Sequence, residues 1–143
     1  MRIMALDLGT KTIGVAVSDA TAMIARGVET IRRKGIKNDF IRLEEIITQE
    51  EVDTIVVGYP KNMNGSIGER AQVSEVFVET IKASYPKMKV VLWDERLSTV
   101  AAEKILISAD MRREKRKKII DMMAAVVILQ NYLDSLPKKE KDI

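Results

Sequence analysis

Three acids in this chain sit where burial alone would not put them. Asp7 interrupts the apolar run from Arg2 to Leu8 and is closely followed by Gly9, whose missing side chain lets other groups approach the backbone. Glu95 comes just after the apolar stretch Val90 to Trp93, at the strand end where open α/β sheets place their ligands. Asp121 precedes Ala124, Ala125, Ile128 and Leu129 at helical spacing, which makes it an acid on a packing face. A buried carboxylate is costly without a cation or hydrogen bonds to offset it. Three of them meeting at one point would repel one another unless a divalent ion sat between them, and hard oxygen donors suit Mg²⁺ or Mn²⁺. A pair of such ions about 3.5–4 Å apart can activate water and stabilise the leaving oxygen of a phosphodiester. Each acid also has an ordinary reading. Asp7 can be a salt-bridged strand acid, Glu95 a surface acid beside Arg96, and Asp121 a helical ion-pair partner of Lys117 and Lys118.

Composition favours the metal reading by elimination. The 143 residues include no His and no Cys, which excludes imidazole bases, Ser-His-Asp triads, thiolate nucleophiles, HExxH helices, disulfides and cysteine zinc sites. Catalysis would have to run on carboxylates, Lys, Arg, Tyr, hydroxyls or a borrowed metal. Hydrophobic residues at 46% against charged residues at 31% describe a globular chain rather than a disordered one. The length suits one domain, read as residues 1–136, with 137–143 a polar C-terminal tail. The longest apolar run, Met122 to Leu129, is too short to span a bilayer, and no secretory cleavage pattern follows the N-terminus. The expected location is the cytoplasm, with no membrane partner.

These acids need strands and helices to hold them. Arg2–Leu8 reads as a central strand, with Ile3, Ala5 and Asp7 on one side and Met4, Leu6 and Leu8 on the other. Gly9 to Thr12 turns into a β-branched run over Ile13–Ser18, a hairpin, and a third strand is expected over Ile24–Ile31. Helical periodicity covers Lys37–Glu50. Thr54–Val57 is a short buried strand ending at Gly58-Tyr59-Pro60. A second helix is predicted from Ile67 to Ser84, with Ala71, Val73, Val76, Phe77, Thr80 and Ile81 inward, then a strand over Val90–Trp93. Ser98 or Thr99 can cap a helix reaching Ser108, and a long helix follows from Glu114 to Ser135. The order βββ-α-β-α-β-α-α predicts an α/β fold: a mixed sheet, part hairpin and part parallel βαβ, with helices on its faces.

The charge is segregated. The net is only +3, yet residues 112–118 hold six of the basic groups and one Glu, leaving 18 basic and 20 acidic groups elsewhere. That run, Arg112, Arg113, Lys115, Arg116, Lys117 and Lys118, stands less than two turns from Asp121 and could neutralise phosphates, although a solvated helix face is the plain alternative. Lys11 in the hairpin turn and Arg96 beside Glu95 are further phosphate candidates. The loop from Gly58 through Asn62 to Gly65 can cradle phosphate with backbone N–H groups, or can simply be shaped by Pro60 and Gly65. Aromatics at 4% argue against base stacking and for recognition of backbone and shape.

Four ordered motifs resemble the YqgF/RuvX family: Asp7-Leu8-Gly9 with Gly14-Val15-Ala16; Gly58-x-Pro60 with Gly65 and Ala71; Asp94-Glu95-Arg96-Leu97-Ser98-Thr99; and Asp121 with Ala124-Ala125, Leu129 and Tyr132-Leu133. The resemblance implies an RNase H-like fold with a five-stranded sheet, related to the RuvC resolvases. It implies a metal-dependent nuclease that matures the 5′ end of pre-16S ribosomal RNA in ribosome biogenesis, with Asp7, Glu95 and Asp121 both catalytic and metal-binding. The family also implies an alternative, a Holliday junction resolvase, which would act as a dimer on DNA; a noncatalytic RNA- or ribosome-binding factor that keeps the fold and uses the basic run but not the acids is a third reading. Either a monomer or a homodimer fits. The chain departs from the family in having Ile119-Ile120 where a Gly commonly follows the basic run, which should start the last helix earlier. It also lacks a fourth acid near Asp121, with Lys118 and Ala124 a turn away on either side, so a second metal would be weakly held. Asp7-Leu8-Gly9-Thr10 also resembles the first phosphate motif of actin- and Hsp70-like ATPases, but 143 residues leave no room for the second domain those enzymes close around ATP.

Overall fold

A computed structural model describes residues 2–60, 68–94 and 113–137; on the last helix the side chains of residues 113–119 and of Asp121 lie outside that description. The elements are β1 (Arg2–Leu8), β2 (Thr12–Ser18), β3 (Ala25–Arg32), α1 (Ile36–Glu50), β4 (Val52–Tyr59), α2 (Glu69–Ser84), β5 (Lys89–Asp94) and α3 (Arg113–Ser135). They form one sheet in the order β3-β2-β1-β4-β5. The β1–β2 and β2–β3 pairs are antiparallel, while β1–β4 and β4–β5 are parallel. Parallel neighbours require crossovers, and α1 and α2 supply them. The helix read between Ser98 and Ser108 falls outside the described residues.

Position in the sheet explains composition. β1 and β4 lie inside, covered on both faces, and are nearly continuous apolar runs; β3 and β5 form the edges and carry more polar side chains. One core layer packs Met4, Leu6, Leu8, Val15, Val17, Ile55 and Val57 against Leu43, Ile46 and Ile47 of α1 and Phe77, Val78 and Ile81 of α2. The rings of Phe40 and Phe77 stack across these two helices with centroids 4.9 Å apart. The other layer sets Ile3, Ala5, Ala16 and Val56 against Ala125, Ile128, Leu129, Tyr132 and Leu133 of α3. Trp93 meets Tyr132 edge-on there.

Three local expectations change. β3 begins at Ala25, and Ile24 stays exposed; β4 extends to both sides of its expected core. On α2 the inward residues are Ala71, Ser74, Phe77, Val78 and Ile81, whereas Val73 and Val76 face solvent. Ser74 is buried without penalty because its hydroxyl donates to the Gly58 carbonyl at 3.1 Å, with the Arg70 carbonyl at 3.4 Å.

The turn between β2 and β3 is built on Asp19. Its carboxylate accepts from the Thr21 hydroxyl and from the backbone N–H groups of Met23 (2.9 Å) and Ile24 (3.2 Å). The Thr21 bond, then the two backbone bonds, hold this carboxyl below its ordinary value of 3.8. A depressed folded pKa stabilises above the unfolded value and is lost as pH falls through the folded one. Asp19→Ala should therefore cost about 1 kcal/mol at pH 7, solvent screening keeping it small, and almost nothing well below pH 3.8, as urea titrations at the two pH values would show.

Candidate active site

The carboxyl ends of β1, β4 and β5 share one edge of the sheet, because these three strands run parallel. Asp7 belongs there. It alternates with Ile3 and Ala5, so it lies on the face covered by α3, beyond the last core residues and half-buried. Its cross-strand partner in β2 is Gly14, which pairs in turn with Thr30 of β3. On the other side β4 runs alongside, with Leu6 opposite Val57, so the next step along brings Gly58 beside Asp7. Both lateral neighbours of this carboxylate are thus glycines. Neither neighbouring position places a side chain beside the carboxylate.

A bulge keeps this row in register. Pairing shifts between Val15 and Ala16, with Glu29 opposite Val15 and Gly27 opposite Ala16, leaving Val28 extra. Val28 packs with the α1/α2 layer, and Glu29 pairs there with Arg42 of α1, while Thr30 still shares the face of Asp7.

The backbone just past Asp7 is gripped by two guanidinium groups. Arg70 donates to the Leu8 carbonyl at 3.2 Å, and Arg33 donates to the Gly9 carbonyl at 3.0 Å. Arg33 is itself held by Asp39, at 3.1 Å, a carboxylate only 1% exposed that also accepts from the Lys34 N–H at 3.1 Å. Gly35, at φ 122°, makes the sharp reversal that brings β3 back to α1 and so delivers Asp39 to these donors. The turn closes tightly through Gly9 N–H to the Thr12 carbonyl at 2.8 Å, and a Cβ on Gly9 would stand 3.0 Å from that oxygen.

On β4, burial and then the nearby Glu75 carboxylate push the Tyr59 phenol up, so it stays protonated. Tyr59 alternates with Gly58 and serves the α2 side of the sheet.

α3 comes unusually close beside Asp121. A Cβ on Gly27 would lie 2.7 Å from both Cγ and Sδ of Met122, so the bare glycine of β3 is what admits this turn of helix. Asp121 occupies the helical position one turn before the buried Ala124 and Ala125. Asp94, the last residue of β5, alternates with Trp93 and Val91 of the α3 layer and therefore lies on the opposite face from Asp7.

Lys11 is exposed in the β1–β2 turn, and Gly58 is buried beside Asp7. Arg113, Lys115, Arg116, Lys117 and Lys118 form the opening turns of α3. Glu95, Asn62, Gly65, Arg96 and Arg112 lie outside the described residues, and among the described residues no three acids cluster as a metal site. Sequence reasoning missed Arg33, Arg70 and Asp39. An acid in the first turn of a helix and cations beside it look like ordinary helix chemistry.

A five-stranded mixed sheet of this order, with helices on both faces, is the RNase H-like fold, and the chain is of the nuclease class. It belongs to the RuvX family, described as Holliday junction resolvase, whose model matches residues 1–135. Among curated relatives it is 58% identical over 138 residues to the "Putative pre-16S rRNA nuclease" of Bacillus pumilus, covering 95% of this chain and 99% of that one. It is 54% identical over 140 residues to the protein of the same name from Thermoanaerobacter pseudethanolicus, covering 97% and 100%. Among solved structures, the fowlpox virus Holliday junction resolvase matches at a TM-score of 0.59 with 16% identity, over 95% of this chain and 100% of that one. The Thermus thermophilus RuvC bound to a Holliday junction matches at 0.59 with 13% identity, over 93% and 94%. At such identities these structures share the fold alone.

Proposed function

We propose that this protein is a divalent-metal-dependent nuclease that trims the 5′ end of pre-16S ribosomal RNA during ribosome biogenesis in the cytoplasm. The observation that carries the reading is Asp7, a carboxylate set between two glycines at the carboxyl edge of the sheet, on the face crossed by α3. The names of relatives over 50% identical along nearly the whole chain support this substrate class. No helix of the described residues is long and apolar enough to cross a membrane, which suits a ribosomal substrate.

Asp7 fits a hard divalent ion: it offers carboxylate oxygens at the carboxyl edge of the sheet, beside Gly14. Asp7, Glu95 and Asp121 would hold Mg²⁺ or Mn²⁺, and Asp94, on the other face, is left out of the set. When bound, the metal supplies water activation and stabilisation of the leaving oxygen. The chain supplies the rest. Gly14 and Gly58 keep side chains away from the positions beside Asp7, where the scissile phosphate would be handled. Arg33 and Arg70 fix the turn after Asp7 so that its carboxylate keeps one orientation. Lys11, Arg96, the Gly58–Asn62–Gly65 loop and the basic start of α3 (Arg112, Arg113, Lys115, Arg116, Lys117 and Lys118) bind the flanking backbone.

The family description favours a second reading, cleavage of four-way DNA junctions. Cutting two strands symmetrically calls for a C2 dimer. The deciding experiment supplies purified protein with Mg²⁺, Mn²⁺ or neither, and offers a pre-16S fragment and a four-way junction in parallel. Metal-dependent cutting of the RNA alone supports the proposal; cutting of the junction alone, by a dimer, replaces it.

A further inference from the structure

A second cationic surface lies at the same edge as Asp7. The segment from Arg32 to Lys37 contains Arg32, Arg33, Lys34 and Lys37 and no acid. Arg33 is used internally, bound to Asp39 and to the Gly9 carbonyl. The other three are exposed, and so is Lys11, which the Arg33 N–H ties to this segment through its carbonyl at 2.9 Å. None of these four forms an ion pair with a described acid. Nearby acids are engaged elsewhere: Asp39 by Arg33, and Glu29 and Glu45 by Arg42. Four cations gathered where the β1–β2 turn meets the β3–α1 link repel one another, and an anionic partner relieves that repulsion.

The placement says which partner. The basic run of α3 belongs to one face of the sheet, while this cluster belongs to the β1–β2 turn and the approach to α1 on the other. Asp7 lies at the edge between them. We infer that Lys11, Arg32, Lys34 and Lys37 form a second phosphate-binding surface, so that the nucleic-acid backbone crosses the carboxyl edge of the sheet and is held on both sides of Asp7. This deepens the nuclease reading and rests on it. The ligand chemistry is the repeating phosphodiester of a helical nucleic acid, RNA or DNA, taken up without base readout.

The test compares binding of a fluorescein-labelled RNA duplex of about 20 base pairs and a four-way DNA junction across a salt series, with EDTA present so that nothing is cut. Three proteins are used: wild type, the triple variant Arg32→Ala/Lys34→Ala/Lys37→Ala, and a charge-matched control, Lys82→Ala/Lys87→Ala/Lys89→Ala, whose exposed lysines serve the opposite, amino edge of the parallel strands. Each phosphate contact contributes roughly 0.9 to the slope of log affinity against log salt. The first variant should lower that slope by about two to three and raise Kd at least about tenfold near 0.1 M salt, while the control should track wild type. The arm that shows the loss, RNA or junction, identifies the backbone this surface holds. If both variants behave alike while wild type binds, the second surface is wrong and the nuclease reading survives. Should wild type bind neither probe, both fall.

Discussion

Asp7→Asn should abolish metal-dependent cleavage, lowering kcat by roughly 10³-fold or more, equivalent to about 4 kcal/mol of lost transition-state stabilisation. Asparagine keeps the shape of the side chain and removes the charge that a hard divalent ion requires. Asp7 is half-buried, flanked by Gly14 and Gly58, and not enclosed by the core, so the melting temperature should stay close to that of wild type. That combination of intact fold and lost turnover separates a chemical role from a structural one. A variant that still cuts within tenfold of wild type would remove Asp7 from the catalytic set, and with it the strongest reason to place the site at this edge.

The second large effect is on stability. Asp39→Ala leaves the Arg33 guanidinium and the Lys34 N–H facing a void where a carboxylate only 1% exposed had satisfied both. Breaking a buried pair from one side typically costs about 3–5 kcal/mol, and with Arg33 still 18% exposed about 3 kcal/mol is expected in urea unfolding. Asp39→Asn should recover part of this, because an amide oxygen still accepts one of the two bonds. Activity should fall as well at temperatures where the variant remains folded, since Arg33 freed from Asp39 no longer fixes the Gly9 carbonyl. A loss below 1 kcal/mol would mean that water replaces the carboxylate and that the Arg33 grip is dispensable.

The frame of this site was legible in the sequence, and its fastenings were not. Strict alternation along Arg2–Leu8 was enough to set Asp7 on the side of Ile3 and Ala5, and that is the face α3 covers. Helical spacing likewise assigned Ala124, Ala125, Ile128 and Leu129 to the packing stripe, and all four are buried. α2 was misread because hydropathy ranks Val73 and Val76 above Ser74. Inside the fold, a hydroxyl that can donate to Gly58 is better placed than its polarity suggests. The Asp39–Arg33–Gly9 chain could not be read at all: it depends on the reversal at Gly35, and no periodicity encodes which cation folds back onto which acid. The Arg32–Lys37 cluster was hidden by the denser run at 112–118, which absorbed the whole charge excess when the chain was summed.

The docking of α3 onto β1, β2 and β3 has a consequence for how the protein is made. Gln130 bonds the Ala25 N–H across 105 residues of chain, and the layer against Ile3, Ala5, Ala16 and Val56 is supplied from residues 125–133. A ribosome releases β1 to β5 before this helix, so the layer that α3 packs against them waits for residues 125–133 to emerge. Because the closing helix is also the one that carries Asp121, an unfinished copy cannot assemble the proposed trio of acids.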